Sequence, residues 1–226
     1  MFKSWKTLAA AALLSAGFGA APALAQTDEQ DLIAKARITV DHLRTDKEFG
    51  NARDLLHRAR AVVIVPSLVK GGFFVGGEGG DAVLLARTGA ASWSEPAFYS
   101  LASASFGLQI GLEQAEVVLL VMNDKAVQAL MKDEFKIGAQ AGVTVVTLGS
   151  GGEAGTTAAA GADIVVWSSA TGAYAGLTLN GSIIKPRDSY NAAYYGKPVR
   201  PYGIVFGHGG HNPGDSGLLQ ALASIS

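Results

Sequence analysis

The chain has 226 residues, 18 basic against 19 acidic side chains for a formal charge of −1, and no cysteine. Without a thiol there is no disulfide, no thiolate nucleophile, no thiolate metal site and no lipidated cysteine. The charge balance excludes nucleic acid as a partner, because that binding is driven by basic surface, while the length suffices for one well-buried domain.

Residues 1–25 read as a secretory signal peptide. Lys3 and Lys6 supply the positive start, residues 8–19 the apolar middle, and Ala23-Leu24-Ala25 the small-residue cleavage site. The apolar run is shorter than the ~20 residues a spanning helix needs. Cleavage near Ala25 places a chain beginning at Gln26 in the periplasm or outside the cell, with 16 basic residues against 19 acidic.

Thr27-Asp28-Glu29-Gln30 has capping-box spacing, with acids in the first turn. A helix follows over residues 27–47, its apolar face formed by Leu32, Ala36, Val40 and Leu43. Its charged remainder, Lys35, Arg37, Asp41 and Arg44, mixes signs as a solvated face does. A second helix is predicted over residues 51–60. Residues 61–65 then form a β-branched buried strand that Pro66 stops.

Further strands are predicted over residues 73–77, 81–87, 98–101, 106–112 and 116–122. A helix capped by Asn123 and faced by Val127, Leu130 and Met131 comes next. Strands resume at Phe135 and over residues 143–148, 164–167, 173–179 and 204–206. Many short strands with few helices predict an α+β fold, with N-terminal helices packed on a curved antiparallel sheet or partly closed β-barrel. Residues 26–60 and the β-rich core 61–206 form one domain, residues 149–161 a loop, and residues 207–226 a flexible tail.

Glycine punctuates the apolar sequence at Gly71-Gly72, Gly76-Gly77, Gly79-Gly80, Gly107, Gly111, Gly172 and Gly176. In strands this bares one face for close packing. The pairs Gly76/Gly80, Gly107/Gly111, Gly138/Gly142 and Gly172/Gly176 recur 31, 31 and 34 residues apart, which is either a degenerate repeat of hairpin units or chance in a glycine-rich chain. Lys70 ahead of Gly71-Gly72 suggests an anion cradle, but the Gly-Lys-Ser/Thr ending of a nucleotide loop is absent, which favours sheet packing.

No complete catalytic or metal pattern stands out. There is no Gly-x-Ser-x-Gly. Glu95 beside Trp93, and Glu113 with Glu116, are acids of a kind that sits at surfaces and turns. His208 and His211 lie among glycines with no third ligand placed by spacing. No catalytic residue, metal or cofactor is assigned.

Residues 183–202 differ from the rest. Lys185, Arg187, Lys197 and Arg200 stand against Asp188 alone, interleaved with Tyr190, Tyr194, Tyr195 and Tyr202. Basic residues attract anionic head groups and tyrosine favours the membrane–water boundary. With Lys70, this cluster is the candidate lipid-facing surface.

Several blocks in fixed order also carry a resemblance over residues 61–196. They include Pro66-Ser67, Lys70-Gly71-Gly72, Gly76-Gly77, Trp93-Ser94-Glu95-Pro96-Ala97-Phe98 and Ser105-Phe106-Gly107-Leu108-Gln109-Ile110-Gly111. Val121-Met122-Asn123, Gly138-Ala139, residues 176–181, Asn191 and Tyr194-Tyr195-Gly196 continue the series. In these the chain resembles the SYLF-domain family, the lipid-binding and actin-binding module of membrane-trafficking adaptors, found also in exported bacterial proteins. The resemblance implies a non-enzymatic module that engages phosphoinositide-type membranes, partly through an amphipathic N-terminal segment. Here the helix over residues 27–47 occupies that place, with Leu32, Val40 and Leu43 as its membrane-facing residues. A signal peptide argues against cytosolic actin and leaves anionic phospholipid as the expected partner. The alternative is a protein partner on the sheet face around residues 107–112.

Overall fold

The computed structural model describes residues 27–45, 53–72, 75–106, 111–138, 143–147, 161–169, 179 and 181–225. The expected signal peptide, the glycine blocks at 107–110 and 172–176, the loop at 149–160 and most of the strand at 173–179 lie outside them. Helices α1 (Asp28–Thr45) and α2 (Arg53–Arg58) precede strands β1 (Ala61–Gly72), β2 (Val75–Ala86), β3 (Ala97–Phe106) and β4 (Gly111–Val121). Helix α3 (Asp124–Leu130) and strands β5 (Phe135–Lys136), β6 (Val145–Thr147), β7 (Ile164–Ser168) and β8 (Ile183–Pro186) follow. The chain continues through α4 (Asp188–Tyr195), α5 (Pro201–Val205), a 3-10 turn (Pro213–Asp215) and α6 (Ser216–Ile225).

One eight-stranded sheet runs in the order β5-β8-β3-β2-β1-β4-β7-β6. Every pairing is antiparallel except β6 with β7 at one edge. The seven antiparallel strands curl into a half-barrel, so the α+β expectation holds.

Both faces of the central strands are covered, which explains why their sequences read as unbroken apolar runs rather than as alternation. Val63, Val65, Leu84, Tyr99, Leu119 and Val121 face a core closed by Val127 and Leu130 of α3 and by Ile204 and Val205 of α5. Their neighbours Val62, Ile64, Val83, Leu85, Phe98, Val118 and Leu120 face the opposite core, closed by α1, α2 and α6. Successive side chains of a strand point to opposite faces, so the run Val62-Val63-Ile64-Val65 feeds both cores in turn.

Helix α1 begins as its sequence predicts. The Gln30 backbone N–H donates to Thr27 Oγ1 and the Thr27 N–H to Gln30 Oε1, each at 3.3 Å. Asn123 likewise caps α3, its Oδ1 accepting from the Ala126 N–H at 3.0 Å. Between them, α1 is pinned to the sheet by Glu116, whose Oε1 accepts from the Thr39 hydroxyl at 2.7 Å and whose carboxylate meets His42 Nδ1 at 2.9 Å.

Four expectations fail for identifiable reasons. Pro66 does not end β1. Pairing runs Ile64↔Val83 and then Val69↔Gly79 on one side, and Val65↔Val117 and then Leu68↔Ala115 on the other. One extra residue in β1 is thus absorbed as a bulge, which accommodates a proline without an N–H. The predicted breaks at residues 78–80 and 102–105 are likewise strand interior, because glycines and serines there pair backbone to backbone.

Residues 204–206 are not a strand. Pro201 sits at the start of α5, where its fixed φ suits a helix and its missing N–H costs nothing.

The segment after residue 206 is not a loose tail. The Gly209 N–H donates to the Gly203 carbonyl at 2.8 Å, a Cβ on Gly207 would come within 2.9 Å of that oxygen, and one on Gly210 would enter the Tyr195 ring. These glycines serve close packing. Helix α6 then lies on α1 with Leu218, Leu222 and Ile225 buried.

Candidate functional site

The Trp93–Phe98 block organises the junction between β2, β3 and the C-terminal helices. Arg87 stacks on the Trp93 ring at 4.3 Å and donates to three carbonyls, those of Ala59, Leu56 and Ala90, so it ties the end of α2 to the β2–β3 turn. Ser94 Oγ accepts from the Ala86 N–H at 3.0 Å. The Pro96 carbonyl accepts from the Tyr195 hydroxyl at 2.8 Å. Phe98 packs against Tyr190 and Tyr194, with ring centroids 6.1 and 5.0 Å apart.

Helix α4 carries most of the tyrosines assigned to a lipid-facing surface, and the structure separates them by depth. Tyr194 is buried and Tyr195 half-buried; burial pushes both phenols well above the ordinary tyrosine range. Tyr190 is partly exposed, with the Arg187 guanidinium over its ring at 3.4 Å. Tyr194 and Tyr195 therefore belong to the packing of α4, as a period near four in that helix already allows.

Each basic residue of the cluster except Lys197 meets an acid. Lys185 lies 2.8 Å from Glu134, Arg187 pairs with Asp81, and Arg200 bridges Asp133 and Asp188, the latter at 2.9 Å. Lys197 is exposed in the turn after α4. Lys70 stands apart on β1, its backbone opposite Glu78 and Glu113, and its charge offsets part of the burial that raises the Glu78 carboxyl above the usual range.

Beside the Arg187–Asp81 pair, an open cleft of about 460 Å³ separates the start of α1 from the β1 bulge; Asp28, Asp31, Lys35, Ser67, Gly80, Asp81 and Tyr190 line it.

Leu32, Val40 and Leu43, expected on a membrane-facing side of α1, are buried in the core instead. The helix spends its apolar stripe on the sheet and on α6, leaving Ile38 as its exposed large apolar residue at 51 %. The other exposed large apolar residues among those described are Tyr202 at 56 % and Phe206 at 43 %. These two rings meet at 5.2 Å, one on α5 and one at its C-cap, directly after Lys197 and Arg200. Sequence reasoning missed Phe206 because residues 204–206 read as a strand, whereas a helix starting at Pro201 puts residues 202 and 206 on one outward face.

Among the described residues no set of three His, Cys, Asp or Glu side chains is arranged to hold a metal, and no helix is long and apolar enough to cross a membrane.

A family model described as Ysc84, Las17-binding protein actin regulator, matches residues 102–225. SH3 domain-containing YSC84-like protein 1 is 30 % identical over 154 residues in Rattus norvegicus and in Homo sapiens, covering 68 % of this chain and 45 % of each relative. LAS seventeen-binding protein 3 of Saccharomyces cerevisiae (strain ATCC 204508 / S288c) is 28 % identical over 196 residues, covering 84 % of this chain and 42 % of its own length. The chain thus spans less than half of the relatives it matches.

Proposed function

Since this chain belongs to the Ysc84 family, a family of binding and actin-regulating proteins rather than of enzymes, we propose that it is a non-enzymatic binding module that docks on an anionic phospholipid surface. The observation that carries the reading is the exposed Tyr202–Phe206 pair, next in sequence to Lys197 and Arg200. Amphipathic rings with neighbouring cations suit a head-group boundary. The acids that now hold Lys185 and Arg200 are themselves exposed. Such pairs are worth about 0–1 kcal/mol, so a phosphate, which an arginine grips bidentately, displaces the carboxylate at little cost. In the same proposal residues 1–25 are a signal peptide and the module works in the periplasm or outside the cell, where cytosolic actin is not met.

Co-sedimentation with vesicles tests this. The protein is expected to pellet with phosphatidylglycerol-containing vesicles and not with pure phosphatidylcholine, and to be released by salt because the attraction decays over a Debye length of about 8–10 Å. Replacing Lys185, Lys197 and Arg200 by Gln is expected to weaken binding by about 1 kcal/mol for each charge, and Tyr202→Ser with Phe206→Ser to weaken it without lowering the melting temperature. No binding to the anionic vesicles overturns the reading.

A protein partner is the second reading. It is favoured by the alternation of Lys185, Arg187 and Arg200 with Glu134, Asp81, Asp133 and Asp188, which presents both signs to a docking surface, and by a family described as Las17-binding.

A further inference from the structure

The junction between the Trp93–Phe98 block and the C-terminal segment holds an acid pair that neither the fold nor the binding surface requires. Asp215 is 1 % exposed although charged residues are seldom buried without a partner. Its Oδ2 and Glu95 Oε2 are both sealed from solvent, and neither receives a donor from the protein. Glu95 lies within reach of the Asp215 carboxyl and raises it. A sealed carboxylate oxygen without a donor is relieved by a proton, and the Tyr194 hydroxyl, also sealed and unpartnered, is the other donor at this junction.

The second oxygen of Glu95, Oε1, meets His211 Nδ1 at 2.6 Å. Glu95 therefore joins two residues of the C-terminal segment, His211 and Asp215, to the loop that leads into β3. Asn212 adds a bond from Nδ2 to the Tyr194 carbonyl at 2.9 Å.

We propose that Glu95, Asp215 and His211 form a proton-operated latch that holds residues 211–225 on the domain and releases them as the pH rises. In the closed state Asp215 keeps its proton and donates it to Glu95, while the His211 Nδ1–H donates to the other oxygen. Opening breaks the Asp215 O–H bond, the proton passes to a base in the solvent, and carboxylate faces carboxylate. Loss of the His211 proton removes the remaining counter-charge.

The groups around the pair act consistently. On α4, Tyr194 and Tyr195 stay neutral because burial raises both phenols. On α1, Glu29 shares the stripe of Ile33 and Arg37 at intervals of four residues, and the Arg37 side chain lies beside Gly217, two residues after Asp215. Burial first, and then the bond to Glu95, push the Asp215 carboxyl up from 3.8 to about 8, and the bond to Glu95 raises His211. Both groups bind protons more tightly closed than open. Closure is therefore fully favoured below the ordinary carboxylate range and weakens as pH climbs to about 8, at most about tenfold per pH unit for each proton. Release uncovers Leu218, Leu222 and Ile225 of α6 together with the α1 face they cover.

The chain has no native cysteine, so spin labels at Ile38→Cys on α1 and Gln220→Cys on α6, both exposed, report closure by pulsed electron resonance. In the full chain a single narrow distance is expected at pH 5.5, with a long, broad component that grows at least tenfold in population by pH 9. Asp215→Asn, whose amide donates to Glu95 without a titrating proton, is expected to keep the narrow distance at pH 9. Glu95→Gln carries the same test if that variant does not give a native circular dichroism spectrum, since its amide donates to Asp215. Identical distances from pH 5.5 to 9 in the unsubstituted segment, or a release in Asp215→Asn equal to that in its parent, overturns the latch.

Discussion

The side-chain amide of Asn191 pairs with the backbone of Phe98 as a neighbouring strand would. Its Oδ1 accepts from the Phe98 N–H at 2.8 Å and its Nδ2 donates to the Phe98 carbonyl at 3.2 Å, with Asn191 itself fully buried. Strand β8 pairs with β3 only from Tyr99 to Ala102. One residue earlier, the first turns of α4 take over, and Asn191 supplies from a helix the partner that the sheet no longer provides. The Arg187 N–H also reaches the Phe98 carbonyl, at 2.9 Å, so the Phe98 N–H is the group that depends on Asn191 alone.

Asn191→Leu is accordingly expected to destabilise the domain by about 1–3 kcal/mol, the cost of leaving a buried donor unmade. Asn191→Asp, which keeps the acceptor but loses the donor to the Phe98 carbonyl and buries a charge, is expected to cost at least as much. Urea unfolding midpoints at constant slope measure both; a midpoint for Asn191→Leu equal to that of the parent removes the strand-mimic argument.

Gly80 sits across the β1 bulge. A Cβ built there falls on the Ser67 carbonyl and within 2.9 Å of Val65 Cγ1. Gly80→Val is expected to lower stability by about 1–3 kcal/mol through overpacking. Gly161, with nothing within 4 Å of its added Cβ, is the matched control, and Gly161→Ala is expected to leave the melting temperature within a degree or two of the parent. Equal losses at both positions contradict the close approach at the bulge.

Arg87 donates from one guanidinium to the carbonyls of Ala59, Leu56 and Ala90 and stacks on Trp93. A lysine has three donors on one nitrogen and no plane to stack. Arg87→Lys is therefore expected to cost about 1–3 kcal/mol despite keeping the charge, read as a shift in the denaturation midpoint, and to raise hydrogen exchange at residues 56–60. An unchanged midpoint indicates that charge alone matters there.

Asp163 gives the domain an acid limit. Its carboxylate accepts from the Thr144 N–H at 2.6 Å and from the Thr144 hydroxyl at 2.9 Å, and from Asn123 Nδ2 at 2.5 Å. The Thr144 backbone bond first, then Asn123, hold it below the usual carboxylate range. With a folded pKa lower than the unfolded 3.8, its contribution is complete above about pH 4 and is lost as pH falls through the folded value. Unfolding followed from pH 6 to pH 2 is expected to show this loss, with a shallower decline in Asp163→Asn; parallel profiles count against the assignment.

The sequence alone specified the elements whose cause is local. Thr27 and Gln30 cap α1 because a capping box needs residues three apart and nothing else, and Asn123 starts α3 for the same reason. The run from Ala61 to Val65 had to be buried, since five apolar residues in extended chain cannot be covered any other way. The Trp93–Phe98 block was visible as a motif, and so was the family.

What pairs with what was decided only in three dimensions. Pro66 reads as a stop in one strand and becomes a bulge once β2 and β4 hold the chain on both sides. Tyr194, Tyr195, Leu32, Val40 and Leu43 read as interfacial because amphipathic spacing is the same for a membrane as for a sheet, and only packing chose the sheet. The glycines around His208 and His211 read as a tail because their use is steric, fitting against Gly203 and Tyr195, which no local pattern reveals. Glu95, His211 and Asp215 come together across more than a hundred residues of chain, and it is burial, which no side chain carries in its sequence, that raises the Asp215 carboxyl above its ordinary range.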